Sequence, residues 1–247
     1  MNVPLLMLPG HMCDPRLWAF VEPALRTSGR RILHADMAGN GSVAAIASTI
    51  LSNSPELFIA VGLSMGGIVA FELMRQQPSQ IAALILSDTN PAPESPERAE
   101  ARRGQQAKVR AGNLADVVRD ELKPAYLAPA NRGRRDILDL TFEMALELGP
   151  GVFLQQSEAL ITRPDSRPTL QEIACPSLVL CGAEDPVCPP DWHRDMADAI
   201  PRAELQLIEG AGHLPPLEQP QRFSAAVLNW LKTLEKGDQW ARQTIAF

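Results

Sequence analysis

Apolar residues in this chain fall into short unbroken runs, separated by stretches with the mixed spacing of helices. Leu5-Leu6-Met7-Leu8, Phe58-Ile59-Ala60-Val61, Ala83-Leu84-Ile85-Leu86 and Leu178-Val179-Leu180 are typical. Runs this short are strand-length, and they lack polar alternation, so each strand must be covered on both faces. The pattern predicts strands over residues 4–8, 31–34, 57–63, 82–87, 177–181 and 204–208. Helices are expected over 18–26, 43–51, 65–76, 190–199 and 221–234. Strands alternating with helices are the signature of parallel βα units. Between 90 and 168 the strand-like runs stop. That stretch opens with Asn90-Pro-Ala-Pro-Glu-Ser-Pro96, turns helical and charged, and closes at Pro164-Asp-Ser-Arg-Pro168. It reads as a helical cap (91–168) inserted into a core made of residues 1–90 and 169–247.

Composition narrows the partners. At 247 residues and 45% hydrophobic, the chain can bury one large α/β core. The net charge is −6, with no Lys/Arg-rich run to track phosphates, which argues against nucleic acid or an anionic membrane as partner. The cap segment is formally neutral, so all the excess negative charge falls on the core. Residues 1–9 lack a basic region, and their apolar stretch is too short for a signal peptide or a membrane span. Cys13, Cys175, Cys181 and Cys188 show no CxxC pairing and no histidine at zinc-site spacing. They read as reduced, buried thiols, and the expected location is cytoplasmic. No metal or organic cofactor is called for, and the oligomeric state is left open.

Chemistry enters at Gly62-Leu-Ser64-Met-Gly66-Gly67, directly after the run ending at Val61 and before a helical pattern. A serine between strand and helix with glycines two residues to either side is a G-x-S-x-G elbow. Gly62 and Gly66 leave room for the close approach of strand and helix, and Gly67 lets the helix pack on the sheet. A phosphate-binding turn is the alternative on this segment alone. A serine nucleophile needs a base, an acid to orient the base, and donors for an oxyanion. His213, in Glu209-Gly-Ala-Gly-His213 after the last strand, is the base expected. His193, in the first turns of a helix, reads as a solvated or capping residue, and His34 as structural. Asp185, at the end of the penultimate strand, is the leading acid, with Asp88 one strand earlier as its rival. The oxyanion donors expected are the backbone N–H groups of Met65 and His11, with Met12 as the fallback. The His11 ring is placed beside the pocket. Trp18, Tyr126, Phe142, Met144 and Phe153 are candidate pocket residues, although helical spacing suits a plain core equally.

Together these segments resemble the α/β-hydrolase fold superfamily over nearly the whole chain. Pro9-Gly10-His11…Trp18 resembles its His-Gly-x…Trp segment, with Pro9 in place of the usual His. Asp36-Met-Ala-Gly-Asn-Gly-Ser42, Gly182-Ala-Glu-Asp185 and Gly210-Ala-Gly-His213 resemble its later loops. The resemblance is nearest to small bacterial carboxylesterase-like members of the pimeloyl-carrier-protein methyl esterase type. It implies a three-layer α/β fold with a mostly parallel sheet of about six strands, no N-terminal edge hairpin, and a helical lid after the fourth strand. The 4–8 strand is then expected to be open to pairing. The resemblance also implies a Ser64–His213–Asp185 triad acting on a small-molecule carboxylic ester. Related chemistries on such a triad cleave thioesters, lactones or carbon–carbon bonds, or make peracids. A triad-bearing small-molecule receptor or signalling protein is the non-enzymatic alternative.

Overall fold

A computed structural model describes residues 3–236. Its centre is a parallel sheet of six strands: β1 (Leu5–Leu8), β2 (Ile32–His34), β3 (Phe58–Leu63), β4 (Ile81–Ser87), β5 (Ser177–Gly182) and β6 (Ala203–Ile208). The spatial order is β2-β1-β3-β4-β5-β6. Leu5 lies opposite Ile32 on one side and Ile59 on the other, and Gly182 lies opposite Ile208. The expectation of a pairing-prone first strand is corrected. The chain leaves β1 for β2 on one flank and returns to β3 on the other, so β1 is hydrogen-bonded on both sides and Leu5, Met7 and Leu8 are fully buried. The three-residue β2 forms that edge instead, and a short edge strand limits unwanted pairing.

Among the described residues, six helices have ten or more residues: α1 (Val43–Asn53), α2 (Met65–Gln76), α3 (Pro96–Arg110), α4 (Arg135–Ile161), α5 (Pro190–Ala199) and α6 (Pro220–Lys236). Ser42 caps α1, its Oγ accepting from the Ala45 N–H at 3.2 Å. The helix expected over 18–26 is broken into a 3₁₀ turn (Pro15–Trp18), a short helix (Glu22–Leu25) and a second 3₁₀ turn (Arg26–Ser28). Pro15 and Pro23 lack the N–H groups that a continuous helix needs. Within α4, Gly149 adopts φ 80° and Pro150 starts the second half, so the helix kinks there.

Strand side chains alternate between two cores. Leu5, Met7, Ile59, Val61, Ile85 and Leu180 pack with Trp18, Phe223, Val227 and Trp230 on the face covered by α6. Leu6, Leu8, Ala60, Leu84 and Val179 pack on the other face with Ile46 of α1, Val69 and Leu73 of α2 and Met196 of α5. This produces the three layers. At about 25 cal/mol per Å² of apolar surface removed from water, the two cores supply the main stabilisation. The two edge strands are the exceptions to unbroken burial: in β2 Leu33 is half-buried and His34 exposed, and the residues of β6 alternate half-buried and exposed until Ile208. Residues 91–168, between β4 and β5, are helical with their own small core. In it Val109, Leu114, Val117, Val118 and Phe153 pack around Met12 from the loop after β1. Cys13, Cys175, Cys181 and Cys188 are all buried. No helix among the described residues is long and apolar enough to cross a membrane.

This topology locates the site. The chain runs outward from β1 toward β2 but from β3 toward β4, so the loops after β1 and β3 diverge. In open parallel sheets that divergence opens a crevice at the strands' carboxyl ends.

Candidate active site

Ser64 sits at the tip of the β3–α2 turn with φ 54° and ψ −113°, a region a side-chain-bearing residue enters only under constraint. The constraint comes from close packing. A Cβ on Gly62 would stand 2.6 Å from the Gly66 carbonyl and the Gly67 nitrogen, and one on Gly66 would collide with the backbone of Leu8. The turn is then pinned from β4. The Ser64 N–H donates to the Ser87 carbonyl at 2.9 Å, and the Thr89 hydroxyl donates to the Ser64 carbonyl at 2.7 Å. Thr89 had no sequence signature, because its role depends on β4 lying beside β3.

His213 Nε2 lies 2.9 Å from Ser64 Oγ, and His213 Nδ1 lies 2.8 Å from Asp185 Oδ2. These residues come from the ends of β3, β5 and β6, far apart in the chain. The other oxygen of Asp185 accepts from the N–H groups of Val187 at 2.7 Å and Cys188 at 3.1 Å. Burial pushes the Asp185 carboxyl up, but the charge and hydrogen bond of His213 and these two backbone donors outweigh it. Its pKa is held below the ordinary value. Asp88, the rival acid, behaves oppositely. It is fully buried, accepts from the Gly182 N–H at 2.8 Å, and lies 2.5 Å from Ser87 Oγ. Burial first and the Asp185 charge second raise its pKa well above the ordinary value, the opposite direction to Asp185. It is Asp185, not Asp88, that accepts the hydrogen bond from His213 Nδ1–H.

The His213 loop is held by a residue that sequence reasoning missed. Glu218 is buried, and one of its carboxylate oxygens accepts from the N–H groups of Gly212 at 2.9 Å and Leu214 at 3.1 Å. The other accepts from the Ala128 N–H and Asn131 Nδ2, each at 2.8 Å. The His213 N–H itself donates to the Tyr126 carbonyl at 2.7 Å. One carboxylate thus ties the histidine loop to the cap segment. A Glu five residues past a histidine looks like any helix-flanking acid, so only the fold exposes this role.

Gly10 lies against Ser64: a Cβ there would stand 3.5 Å from the Ser64 Cβ. His11 lines the same cavity as Ser64, and neither its N–H nor that of Met65 finds a hydrogen-bond partner among the described residues. The His11 ring is buried with both nitrogens unpartnered, and it packs 5.3 Å from the Phe153 ring. Burial, then the charges of Arg102 and Lys123, push its pKa well below the ordinary value, so the ring is neutral.

The cavity at Ser64 has a volume of about 40 Å³. Its walls include His11, Ile68, Thr89, Tyr126, Leu160 and Cys188, together with Arg98, Arg102 and Arg163. Tyr126 is the one predicted pocket aromatic in that wall. Trp18 is instead core, 6.2 Å from the Phe223 ring, while Phe142 and Phe153 pack in the core of the cap segment. Met144 is fully buried, its sulfur accepting from the Asp14 N–H at 3.5 Å. Helical spacing alone does not say which face of the cap looks at the serine. His193 is likewise corrected: it is fully buried, not solvated. Its Nε2 accepts from the Thr89 N–H at 3.0 Å, and its Nδ1–H donates to the Pro189 carbonyl at 3.2 Å. Burial lowers its pKa to about 4. It buttresses the loop after β4. His34 pairs with Glu22 at 2.8 Å, away from the serine.

Residues 5–226 match the model of the alpha/beta hydrolase family. The pimeloyl-[acyl-carrier protein] methyl ester esterase of Aromatoleum aromaticum is 28% identical, over 90% of this chain and 95% of that protein. A thermophilic esterase from Thermogutta terrifontis superposes with a TM-score of 0.84 at 30% identity, covering 95% of this chain and 91% of the other. The enol-lactonase of Burkholderia xenovorans shares the fold, with a TM-score of 0.83 at 22% identity over 94% and 92% of the two chains. With the six-stranded parallel sheet, the elbow at Ser64 and this match over most of its length, the chain belongs to the alpha/beta hydrolase family.

Proposed function

We propose that this protein is a serine carboxylesterase that works through an acyl-enzyme. The observation carrying this reading is the continuous chain Ser64 Oγ, His213, Asp185, with links of 2.9 and 2.8 Å. His213 Nε2 takes the proton as Ser64 Oγ attacks the ester carbonyl. Asp185 keeps the other ring proton on Nδ1 and stabilises the imidazolium. The N–H groups of His11 and Met65 receive the oxyanion, a stabilisation worth about 3 kcal/mol per donor. Collapse of the tetrahedral species breaks the C–O bond to the alcohol, which leaves with the proton from His213. Water then attacks the acyl-enzyme, giving its proton to His213, and the acid is released as Ser64 regains its hydrogen. The related esterases of Aromatoleum and Thermogutta support this class of substrate. Residues 91–168 act as a cap, since Arg98, Arg102, Tyr126, Leu160 and Arg163 all wall the serine's cavity.

The test is turnover of short methyl and p-nitrophenyl esters. Ser64→Ala is expected to lower kcat/KM by roughly 10⁴–10⁶-fold, since triad members act as a unit. Retention of more than a tenth of wild-type activity rejects the assignment. Stoichiometric acylation of Ser64 without turnover rejects the enzyme in favour of a receptor.

A further inference from the structure

The Ser64 cavity is walled by three guanidinium groups. Arg98 and Arg102 lie one turn apart on α3, and Arg163 follows α4. Glu94 is the anionic partner of Arg102 and Arg163. A single oxygen of it, Oε2, accepts from Arg102 Nε at 2.7 Å and Arg163 Nη1 at 3.0 Å. Arg163 Nε donates to the Ala92 carbonyl, and Arg98 Nη2 to the Val187 carbonyl, each at 2.8 Å. Both Nη atoms of Arg102, and Nε and Nη1 of Arg98, have no bond among the described residues. Behind His11 lies a fourth cation. Lys123 is buried, with Nζ 3.4 Å from the carbonyl oxygens of His11 and Met12 and 3.6 Å from Cys13 Sγ. The nearby Asp185 is engaged by His213. Cations therefore outnumber carboxylates around a small, largely enclosed space.

That excess needs an explanation. Taking an ion out of water costs several kcal/mol unless an opposite charge and hydrogen bonds compensate. Here the chain supplies one shared carboxylate, the Ala92 and Val187 carbonyls, and the Trp192 ring 5.4 Å from the Arg98 guanidinium, so Glu94 is the one opposite charge among these contacts. The unpartnered His11 ring, 6% exposed, faces the same cavity as a neutral donor and acceptor. The site is built to be completed by an anion that brings its own charge and lone pairs. Arginine's fork suits a carboxylate, which it can hold through two parallel bonds.

Resting on the serine-hydrolase reading, we propose that the acyl group of the substrate carries a second, ionised carboxylate. Arg98 and Arg102 hold that carboxylate while Ser64 attacks the ester at the other end. The substrate class is the monoester of a short dicarboxylic acid. The small size of the cavity between Ser64 and these arginines is the reason for a short acyl chain. Asn90, Arg98 and Arg163 also line an outer groove of about 770 Å³. With water, a monomethyl ester yields the dicarboxylate, methanol and one proton.

The experiment compares monomethyl glutarate with methyl pentanoate, its neutral counterpart of equal length, by methanol release. The wild-type ratio of kcat/KM, charged over neutral, is expected to exceed ten. Arg102→Met and Arg98→Met are each expected to lower that ratio at least tenfold, as loss of a hydrogen bond to a charged group implies. Arg102→Lys is expected to restore part of it. Arg98 bonds to a carbonyl and not to Glu94, so it serves should Arg102→Met fail to fold. A wild-type ratio of one or less, or ratios unchanged in both methionine variants, overturns the proposal and leaves the hydrolase reading standing. If neither ester turns over, calorimetric titration with glutarate separates the two ideas. Binding that Arg102→Met or Arg98→Met abolishes keeps the anion site and rejects the hydrolase, while no binding to the wild type overturns the site as well.

Discussion

Replacing Glu218 with alanine tests whether the histidine loop is held as the geometry indicates. The carboxylate receives three backbone N–H groups and the Asn131 amide, at 2.8 to 3.1 Å. Asn131 keeps a second partner, the Gly210 carbonyl at 2.9 Å, so the stranded donors are the N–H groups of Ala128, Gly212 and Leu214. Each buried unsatisfied donor costs about 1–3 kcal/mol. Allowing for partial entry of water, the variant is expected to lose about 3–5 kcal/mol, as when a buried charged network is broken. That is a large part of a typical domain's stability. Glu218→Gln keeps the shape and one acceptor oxygen, and it is expected to lose about 1–2 kcal/mol. Urea unfolding followed by circular dichroism measures both. The same loop carries His213, so kcat is expected to fall in the alanine variant more than KM rises, with the glutamine variant recovering most of the loss. A Glu218→Ala protein within about 1 kcal/mol of wild type refutes the reasoning.

Four further outcomes follow from the site. Asp185→Asn is expected to lower kcat/KM by about 10³–10⁴-fold, and Asp88→Asn to leave it within about threefold; the reverse order makes Asp88 the acid. The folded pKa of Asp88 is raised, so the unfolded chain loses that proton at lower pH and stability falls as pH rises past the ordinary carboxylate value. Asp88→Asn is therefore expected to unfold at higher urea than wild type at pH 7. His193 has the opposite linkage: it stays neutral until about pH 4 when folded, so stability is lost as pH falls from about 6.5 to about 4, by about 3 kcal/mol. His193→Gln, keeping an acceptor for Thr89, is expected to flatten that limb of the stability curve, and an unchanged slope contradicts the assignment. Gly66→Ala drives a methyl group into the Leu8 backbone and is expected to cost about 3 kcal/mol or more; a melting temperature equal to wild type removes the steric account of the elbow.

The strands were legible because burial on both faces demands unbroken apolar runs, and such runs are short and local. The elbow was legible for a related reason. Gly62, Ser64 and Gly66 answer to a clash within one turn, so the constraint is written in adjacent residues. His213 and Asp185 were recoverable from loops that follow late strands. What the sequence could not hold was any relation between distant segments. That Asp185 and not Asp88 bonds to His213, and that burial and charge move the two carboxyls in opposite directions, depends on how β4, β5 and β6 pack together. Glu218 and Thr89 look like ordinary polar residues until β4, β6 and the cap are packed together. The helical spacing of residues 91–168 likewise gave no reason to prefer Arg98, Arg102 and Arg163 over Phe142 and Phe153 as the wall of the cavity. Sequence by itself determined the layers and the tight turn that carries Ser64, because those depend on periodicity and local sterics. Tertiary structure alone decided which charges meet above Ser64, because a Coulombic neighbourhood is a property of distances that the chain order does not contain.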